Sequence, residues 1–457
     1  MTIPELVRQQ RIYFNTNTTR DIAFRISQLK LLKSTMKKHE KAMLDAVYAD
    51  LRKSRYDTTA TELSLIYGEI RNAIRCLPAW SRKQRVRGNL LNFPQRSYLL
   101  PEPYGVTYIA GPWNYPYQLT LLPLVSALAA GNTAVVKPSE YAPNASRMIA
   151  NIINENFPPD YVHVVEGGTD VAGTILRERF DKIFFSGGSA VGKIVYEAAA
   201  RNLTPVTLEL GGKNPAILLP TCNIGIAAKR IVWGKFSNAG QTCVAPDYLL
   251  VHSSIEQRVL EELRRLLVAH FKNGAIGENY VAIIDDRHFD RLTKLIDPAK
   301  VYFGGTMNKQ ERYLSPTLLH NVSFDDQIMK EEIFGPLLPV IRFDDLGDVV
   351  TRVRALEKPL SFYLFGKRSA ITDALFRDIS FGGGSLNDTV LYFANRRLPF
   401  GGIGTSGIGS YHGEHGFKCF SHYKAVMEKG TWIEPWLFKV PPYTESKLKV
   451  LRWLIEH

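Results

Sequence analysis

A thiol and a carboxylate stand 34 residues apart in this chain, each in surroundings suited to covalent chemistry on a carbonyl. Cys243 sits in Phe236-Ser237-Asn238-Ala239-Gly240-Gln241-Thr242-Cys243-Val244-Ala245-Pro246, where small and polar residues precede the sulfur and a proline follows it. Glu209 sits in Leu208-Glu209-Leu210-Gly211-Gly212-Lys213. A cysteine nucleophile with a nearby base is one way to split a hard reaction at a carbonyl into two easier steps. Each group needs help. A thiol of ordinary pKa is only ~3% ionised at pH 7, so backbone dipoles or a cation must raise that fraction. A glutamate of pKa about 4.3 is a feeble base until burial raises it. Alone, Cys243 reads equally as a small buried hydrophobe. Asn114 lies in Gly111-Pro112-Trp113-Asn114-Tyr115-Pro116, a turn bracketed by prolines. Its amide is suited to hold an oxyanion, the alternative being an ordinary turn asparagine.

A phosphate cradle is written in Lys182-Ile183-Phe184-Phe185-Ser186-Gly187-Gly188-Ser189-Ala190-Val191-Gly192-Lys193: a strand, a glycine turn and a helix start. Backbone N–H groups at such a helix N-terminus hold a pyrophosphate. Gly187, Gly188, Ser189 and Gly192 are the candidate contacts, although the pattern is neither GxGxxG nor a P-loop. The dinucleotide fingerprint also wants an acid about 20 residues on, for the ribose hydroxyls. Glu209 lies 22 residues after Gly187. Spacing therefore leaves Glu209 with two competing roles, base or ribose ligand.

The elements that position these groups follow from periodicity. Pro4 to Ala79 reads as helices, with Ile22, Ile26, Leu29 and Leu32 at helical spacing. Arg82–Pro103 is rich in Arg, Asn and Pro and reads as a linker or a crossing arm. Tyr104 to Glu209 alternates short apolar strands (106–110, 133–136, 162–165, 182–185 and 206–208) with helices such as Leu119–Ala130. That alternation predicts an α/β fold, a parallel sheet with helices on both faces. A second α/β region runs from Asn214 to about Asn387, with strands expected at 216–219, 248–251, 338–342 and 361–365. A chain of 457 residues exceeds one ordinary core, so two or three domains are expected. Cys76, Cys222, Cys243 and Cys419 show no metal-site or disulfide spacing, which predicts no metal and a reducing, cytoplasmic setting. No apolar run is long enough for a transmembrane helix. The formal charge of +13 is spread along the chain without a nucleic-acid motif, so nucleic acid is not expected as a partner.

Asn114 in Pro-Trp-Asn-Tyr-Pro, Glu209 in Leu-Glu-Leu-Gly-Gly-Lys and Cys243 in Gly-Gln-Thr-Cys are followed by Glu331-Glu332-Ile333-Phe334-Gly335-Pro336 and the glycine-rich Pro399–Gly409. In this order the motifs resemble the NAD(P)-dependent aldehyde dehydrogenases over nearly the whole chain. The short N-terminus, Cys243–Tyr248 and Gly409–Gly413 look most like the class 3 branch, which includes fatty and medium-chain aldehyde dehydrogenases. The resemblance implies a Rossmann-like cofactor domain (1–81 with 104–209), a catalytic domain (210–387), bridging segments for oligomerisation (82–103 and 388–430) and a tail (431–457). It implies that Cys243 forms a thiohemiacetal and then a thioester, that Asn114 and the Cys243 N–H hold the oxyanion, and that Glu209 is the base that activates water. Ribose contacts fall to Lys137, Glu140 and Glu332; Phe334 lies against the nicotinamide, and Trp113 lines the same cleft. A carboxylate at Glu140 favours NAD over the 2′-phosphate of NADP, and Lys137 softens that preference. The implied substrate is an apolar aldehyde, medium- or long-chain or aromatic, and the implied assembly is a homodimer. Leu448, Leu451 and Ile455 are expected on one face of a basic tail helix, for docking on protein or weak contact with an anionic membrane surface. Two other readings stand beside this one. One is an acylating dehydrogenase in which coenzyme A replaces water; the other is a basic binding protein on an inactive scaffold.

Overall fold

Runs such as Val106-Thr107-Tyr108-Ile109-Ala110 have no polar face, and strands of that kind are stable only when covered on both sides. In a computed structural model describing residues 1–271, 280–434 and 436–456, these runs form the middle of two parallel sheets. The chain begins with helices Ile3–Asn15, Ile22–Lys38, Glu40–Leu51 and Arg55–Thr58, a widened π turn at Thr59–Leu63, and helix Ser64–Trp80. Strands Gln84–Val86 (β1) and Gln95–Pro103 (β2) follow. Next come Val106–Ala110 (β3), Thr133–Lys137 (β4), Val162–Val164 (β5), Lys182–Ser186 (β6) and Val206–Glu209 (β7). These five are parallel and lie in the order β5-β4-β3-β6-β7, so the winding reverses between β3 and β6. Helix Pro116–Ala130 is buried on every side, as its uniformly apolar composition requires. The first half of the expected pattern is thus observed.

Only Leu210 to Lys213 and Asn214 separate β7 from the second sheet. That sheet uses Pro215–Leu218 (β8), Tyr248–His252 (β9), Val301–Phe303 (β10), Thr317–Leu319 (β13), Leu337–Phe343 (β14), Ser361–Phe365 (β15) and Gly383–Leu386 (β16), with a small hairpin of Met307–Asn308 (β11) and Tyr313–Leu314 (β12) beside it. Its order is β10-β13-β14-β9-β8-β15-β16, parallel except at β10. Strands β10 to β13 are only two or three residues long and β16 opens on two glycines, which is why periodicity missed them. Gly407–Ile408 (β17) pairs antiparallel with β7.

The segment expected as a linker or arm is part of a third sheet. Ser421–Lys429 (β18) pairs with β2 over nine residues, and β1 flanks β2 on the other side. The tail docks on the protein, one of the two expectations for it, but through a shifted face, and weak membrane contact has no support. Helix Glu445–Glu456 turns Leu448, Leu451 and Leu454 towards Leu90 and Phe93, while Ile455 is 64% exposed. The apolar stripe falls at 448/451/454, and it is engaged within the chain. Pro435 and His457 of the tail lie outside the described residues. Among the described residues no helix is long and apolar enough to cross a membrane.

Candidate active site

Loops after β3, β4, β6 and β7 leave the carboxyl ends of parallel strands, the usual ligand edge of such a sheet. Asn114 follows β3, Lys137 ends β4, Gly187 follows β6 and Glu209 ends β7. The reversal between β3 and β6 opens a crevice there, and the second sheet delivers Cys243 to it.

The thiol sits on a strained turn. Helix Ile224–Phe236 stops, and Asn238, Ala239 and Gly240 all take left-handed backbone, with φ of 52°, 52° and 69°. Asparagine tolerates that conformation, and alanine adopts it at a cost. A Cβ at Gly240 would collide with the Gly335 carbonyl oxygen, so only glycine fits. Side-chain amides lock the turn. Asn238 donates to the carbonyls of Asn114 and Gln241, each at 3.0 Å. Gln241 donates to Ala282 O at 3.0 Å and accepts from the Ile284 N–H at 3.0 Å. Asn214 donates to Cys243 O at 2.7 Å and Ala245 O at 2.9 Å. Such over-determination is what lets strain persist at a functional site. The Tyr115 and Thr242 hydroxyls meet at 2.8 Å, and Lys53 sits 4.0 Å from the Tyr115 ring centroid. Lys53 in turn pairs with buried Glu62 at 2.9 Å, whose other oxygen caps the Tyr117 and Gln118 N–H groups.

Cys243 lines two cavities. One, of about 260 Å³, is shared with Trp113, Asn114, Gly187, Gly188, Glu209, Glu332 and Phe334. The other, of about 60 Å³, is walled by Leu119, Trp233, Val390, Phe393, Phe400 and other mostly apolar groups. Glu209 is buried and Glu332 half-buried. Glu209 is 4% exposed, and neither of its oxygens has a hydrogen-bond partner among the described residues. Desolvation pushes its carboxyl well above the usual range. Desolvation and the nearby Asp247 carboxylate push Glu332 up to about 8, against the Gly212 N–H and Lys213. The thiol itself is pushed up to about 12, by burial and then by Glu332 and Glu209; its own N–H and that of Val244 pull the other way. The backbone help expected at the sulfur is present, but no cation outweighs the burial. Asn114 is 3% exposed and spends one amide hydrogen on Gln241 O at 3.0 Å, which leaves its second for an oxyanion.

The remaining predicted contacts divide. Trp113 and Phe334 meet edge to face at 5.4 Å, and Phe334 holds a left-handed φ of 49°. Ser189 starts helix Ser189–Ala200 with Gly188 at its cap, so the first N–H groups of a twelve-residue helix face the crevice edge. Gly192 is a packing glycine: a Cβ there would press on Leu210. Lys137 is buried and bonds Glu140 at 2.9 Å; neither lines the Cys243 cavity, and Glu140 is exposed. Sequence reasoning missed His288 and His412. His288 packs against Trp113 and Phe334 and bonds Phe334 O at 2.8 Å; burial pulls its pKa down to about 4, so it is neutral. His412, likewise lowered to about 4 by burial, lines the narrow cavity and stacks on Phe400 at 5.1 Å. Neither has a local signal, because both meet the site only through the fold. Arg396 turns away from the channel to pair with Glu69 at 3.2 Å.

Comparison with known proteins identifies the family and the fold. Residues 3–426 fit the model of the aldehyde dehydrogenase family. The chain belongs to that family. It is 44% identical to the 4,4'-diaponeurosporen-aldehyde dehydrogenase of Staphylococcus aureus, over 97% of this chain and 96% of that one. It is 40% identical to an aldehyde dehydrogenase of Canis lupus familiaris described as dimeric and NADP-preferring, over 93% and 94% of the two chains. A solved structure, the substrate-bound state of Staphylococcus aureus AldH, superposes with a TM-score of 0.97 at 42% identity and full coverage of both chains. The enzyme is thus an oxidoreductase that oxidises aldehydes with NAD or NADP.

Proposed function

We propose that the enzyme converts slender apolar aldehydes, medium- or long-chain or aromatic, to carboxylates through a cysteine thioester. The observation that carries this is the place of Cys243 on the wall shared by an apolar channel and a polar crevice. The channel is small beside a typical ligand pocket of roughly 300–1,000 Å³ and its walls are mostly apolar, which favours an apolar group next to the carbonyl. The aldehyde enters by the channel. Asn114 Nδ2 and the Cys243 N–H receive the oxyanion as the sulfur bonds to carbon, and the thiol proton leaves to solvent, so that Glu209 is not needed until the thioester has formed. Bound NAD(P)+ supplies the hydride acceptor for the carbon–hydrogen bond that then breaks. Glu209, whose oxygens bond no protein group among the described residues, takes a proton from water, and hydroxide opens the thioester. A general base of this kind supports hydrolysis rather than transfer to coenzyme A.

The crevice suits the nucleotide. The helix N-terminus at Ser189 offers N–H groups to the pyrophosphate, Glu332 reaches a ribose, and Trp113 with Phe334 flanks the nicotinamide end. Lys137 paired with Glu140 at the edge of the same sheet offsets the carboxylate that would repel a 2′-phosphate. We assign residues 1–81 and 104–209 to cofactor binding, 210–387 to catalysis, and 82–103 with 388–430 to a bridging arm. The three sheets support that division. The long outer edge of β18 and the dimeric relative support a homodimer. Four reduced cysteines fit a cytoplasmic setting.

The test is NADH absorbance across aldehydes of increasing length. Cys243→Ser should abolish turnover. Glu209→Gln should release one equivalent of NADH and then stall; a Glu209→Gln enzyme that merely binds NAD+ more weakly would restore the ribose role for Glu209. Turnover that depends on coenzyme A would overturn the hydrolytic route.

A further inference from the structure

The linker between the two sheets, Leu210-Gly211-Gly212-Lys213-Asn214, touches the segments that carry Glu209, Cys243 and Glu332. It leaves Glu209 directly. The Gly212 N–H bonds the Glu332 carboxylate, which lies so close over Gly211 that a Cβ there would collide with it. Asn214 holds the carbonyls of Cys243 and Ala245. Between these, Lys213 spends all three of its hydrogens. It donates to Asp247 Oδ2 at 2.6 Å, to Ile328 O at 2.9 Å and to Glu331 O at 2.8 Å. Asp247 lies four residues beyond the thiol, receives the Ile333 N–H at 3.0 Å on its other oxygen, and donates its own N–H to Asn214 O at 2.8 Å. The Lys213 and Asp247 side chains are 9% and 4% exposed.

A pair this buried is weak support for stability, since apolar residues of similar size often replace such pairs without loss. Its bonds instead run to one target. Lys213 and Asp247 hold the Glu331 carbonyl and the Ile333 N–H, and Arg291 reaches the Glu332 and Ile333 carbonyls. We propose that Lys213 and Asp247 are positioning residues that tie the Cys243 turn to the ribose-contacting segment around Glu332, so that cofactor binding at Glu332 sets the presentation of the thiol. This rests on the nucleophile and ribose roles proposed above for Cys243 and Glu332. The pair touches neither substrate nor cofactor. It acts through charge-assisted bonds, which are short and directional.

The experiment uses the full-length enzyme and reads the rate of Cys243 alkylation by iodoacetamide with and without saturating NAD+, together with kcat and the KM for NAD+. In the parent enzyme NAD+ should change the alkylation rate several-fold. Asp247→Asn keeps the shape and the acceptor for Ile333 while removing the charge. It should cut the NAD+ effect to under about twofold, raise the KM for NAD+, and lower kcat by up to ~10²-fold, the scale of an ångström-sized misplacement. Lys213→Gln should behave alike, and the double variant should be no worse than either single one. A control at the Lys300–Asp326 pair, Lys300→Gln, should leave the NAD+ effect intact. The proposal fails if the parent alkylation rate ignores NAD+, if both variants keep the parent's ratio and KM, or if the control loses the effect equally. Should Asp247→Asn not fold, Lys213→Gln decides alone by the same ratio. Failure of the underlying reading looks different: Cys243→Ser would then retain turnover.

Discussion

The chemistry at Cys243 and Glu209 is governed by water exclusion. Both groups favour their neutral forms in a dry pocket, so neither is a ready ion in the resting enzyme. In the route proposed above the thiol proton therefore leaves as carbon–sulfur bonding proceeds, and the Asn114 amide takes up the charge at oxygen. Asn114→Ala should lower kcat by about 10²–10³-fold, the typical loss for one oxyanion donor, while the KM for NAD+ stays near its parent value. A carboxyl raised by burial also leaves a mark on stability. Between the ordinary carboxylate pKa and the raised one, folded Glu209 keeps a proton that the unfolded chain has lost, so stability falls as pH rises through that window. Glu209→Gln removes this penalty. Its melting temperature relative to the parent should be higher at pH 8 than at pH 4.5; an equal difference at both pH values would show that Glu209 titrates normally. Deacylation in the parent should likewise speed up as pH rises above the ordinary carboxylate range.

Element by element, what could be read from sequence was what parallel sheets make obvious. Strands β3, β4 and β6 to β9 announce themselves because burial on both faces demands unbroken apolar runs, and Gly131 marks the end of helix Pro116–Ala130 with a left-handed φ of 96°. The motifs around Asn114, Glu209 and Cys243 were legible because two sit on turns and the third ends a strand before paired glycines, each with its own local grammar. His288, His412 and the roles of Lys213 and Tyr115 were not. Their partners lie from about a dozen residues away, for His412, to more than a hundred, for Tyr115 and Lys213, and no local spacing encodes them. The turn at Asn238–Gly240 is the element most sensitive to change. Gly240→Ala meets both a left-handed backbone and the Gly335 carbonyl, so it should cost well over about 1 kcal/mol in denaturant unfolding. It should also remove activity even where the protein remains folded. Parent-like activity would show that the turn relaxes freely.

For the whole molecule, the three-stranded sheet of β1, β2 and β18 projects a nine-residue edge strand, a template for pairing with a second copy. Light scattering should therefore return twice the 51.5 kDa chain mass, and a monomer at micromolar concentration would count against that assembly. The two cavities meeting at Cys243 have a kinetic consequence as well. In the route proposed above, aldehyde and nucleotide reach one sulfur through separate cavities. A compound that plugs the apolar door should compete with aldehyde and not with nucleotide in steady-state inhibition. The same arrangement offers a route to selective inactivators. An electrophile carried on a slender greasy stem should label the sulfur even when the dinucleotide is already in place, whereas a bulky or charged electrophile of equal reactivity should be turned away at the door.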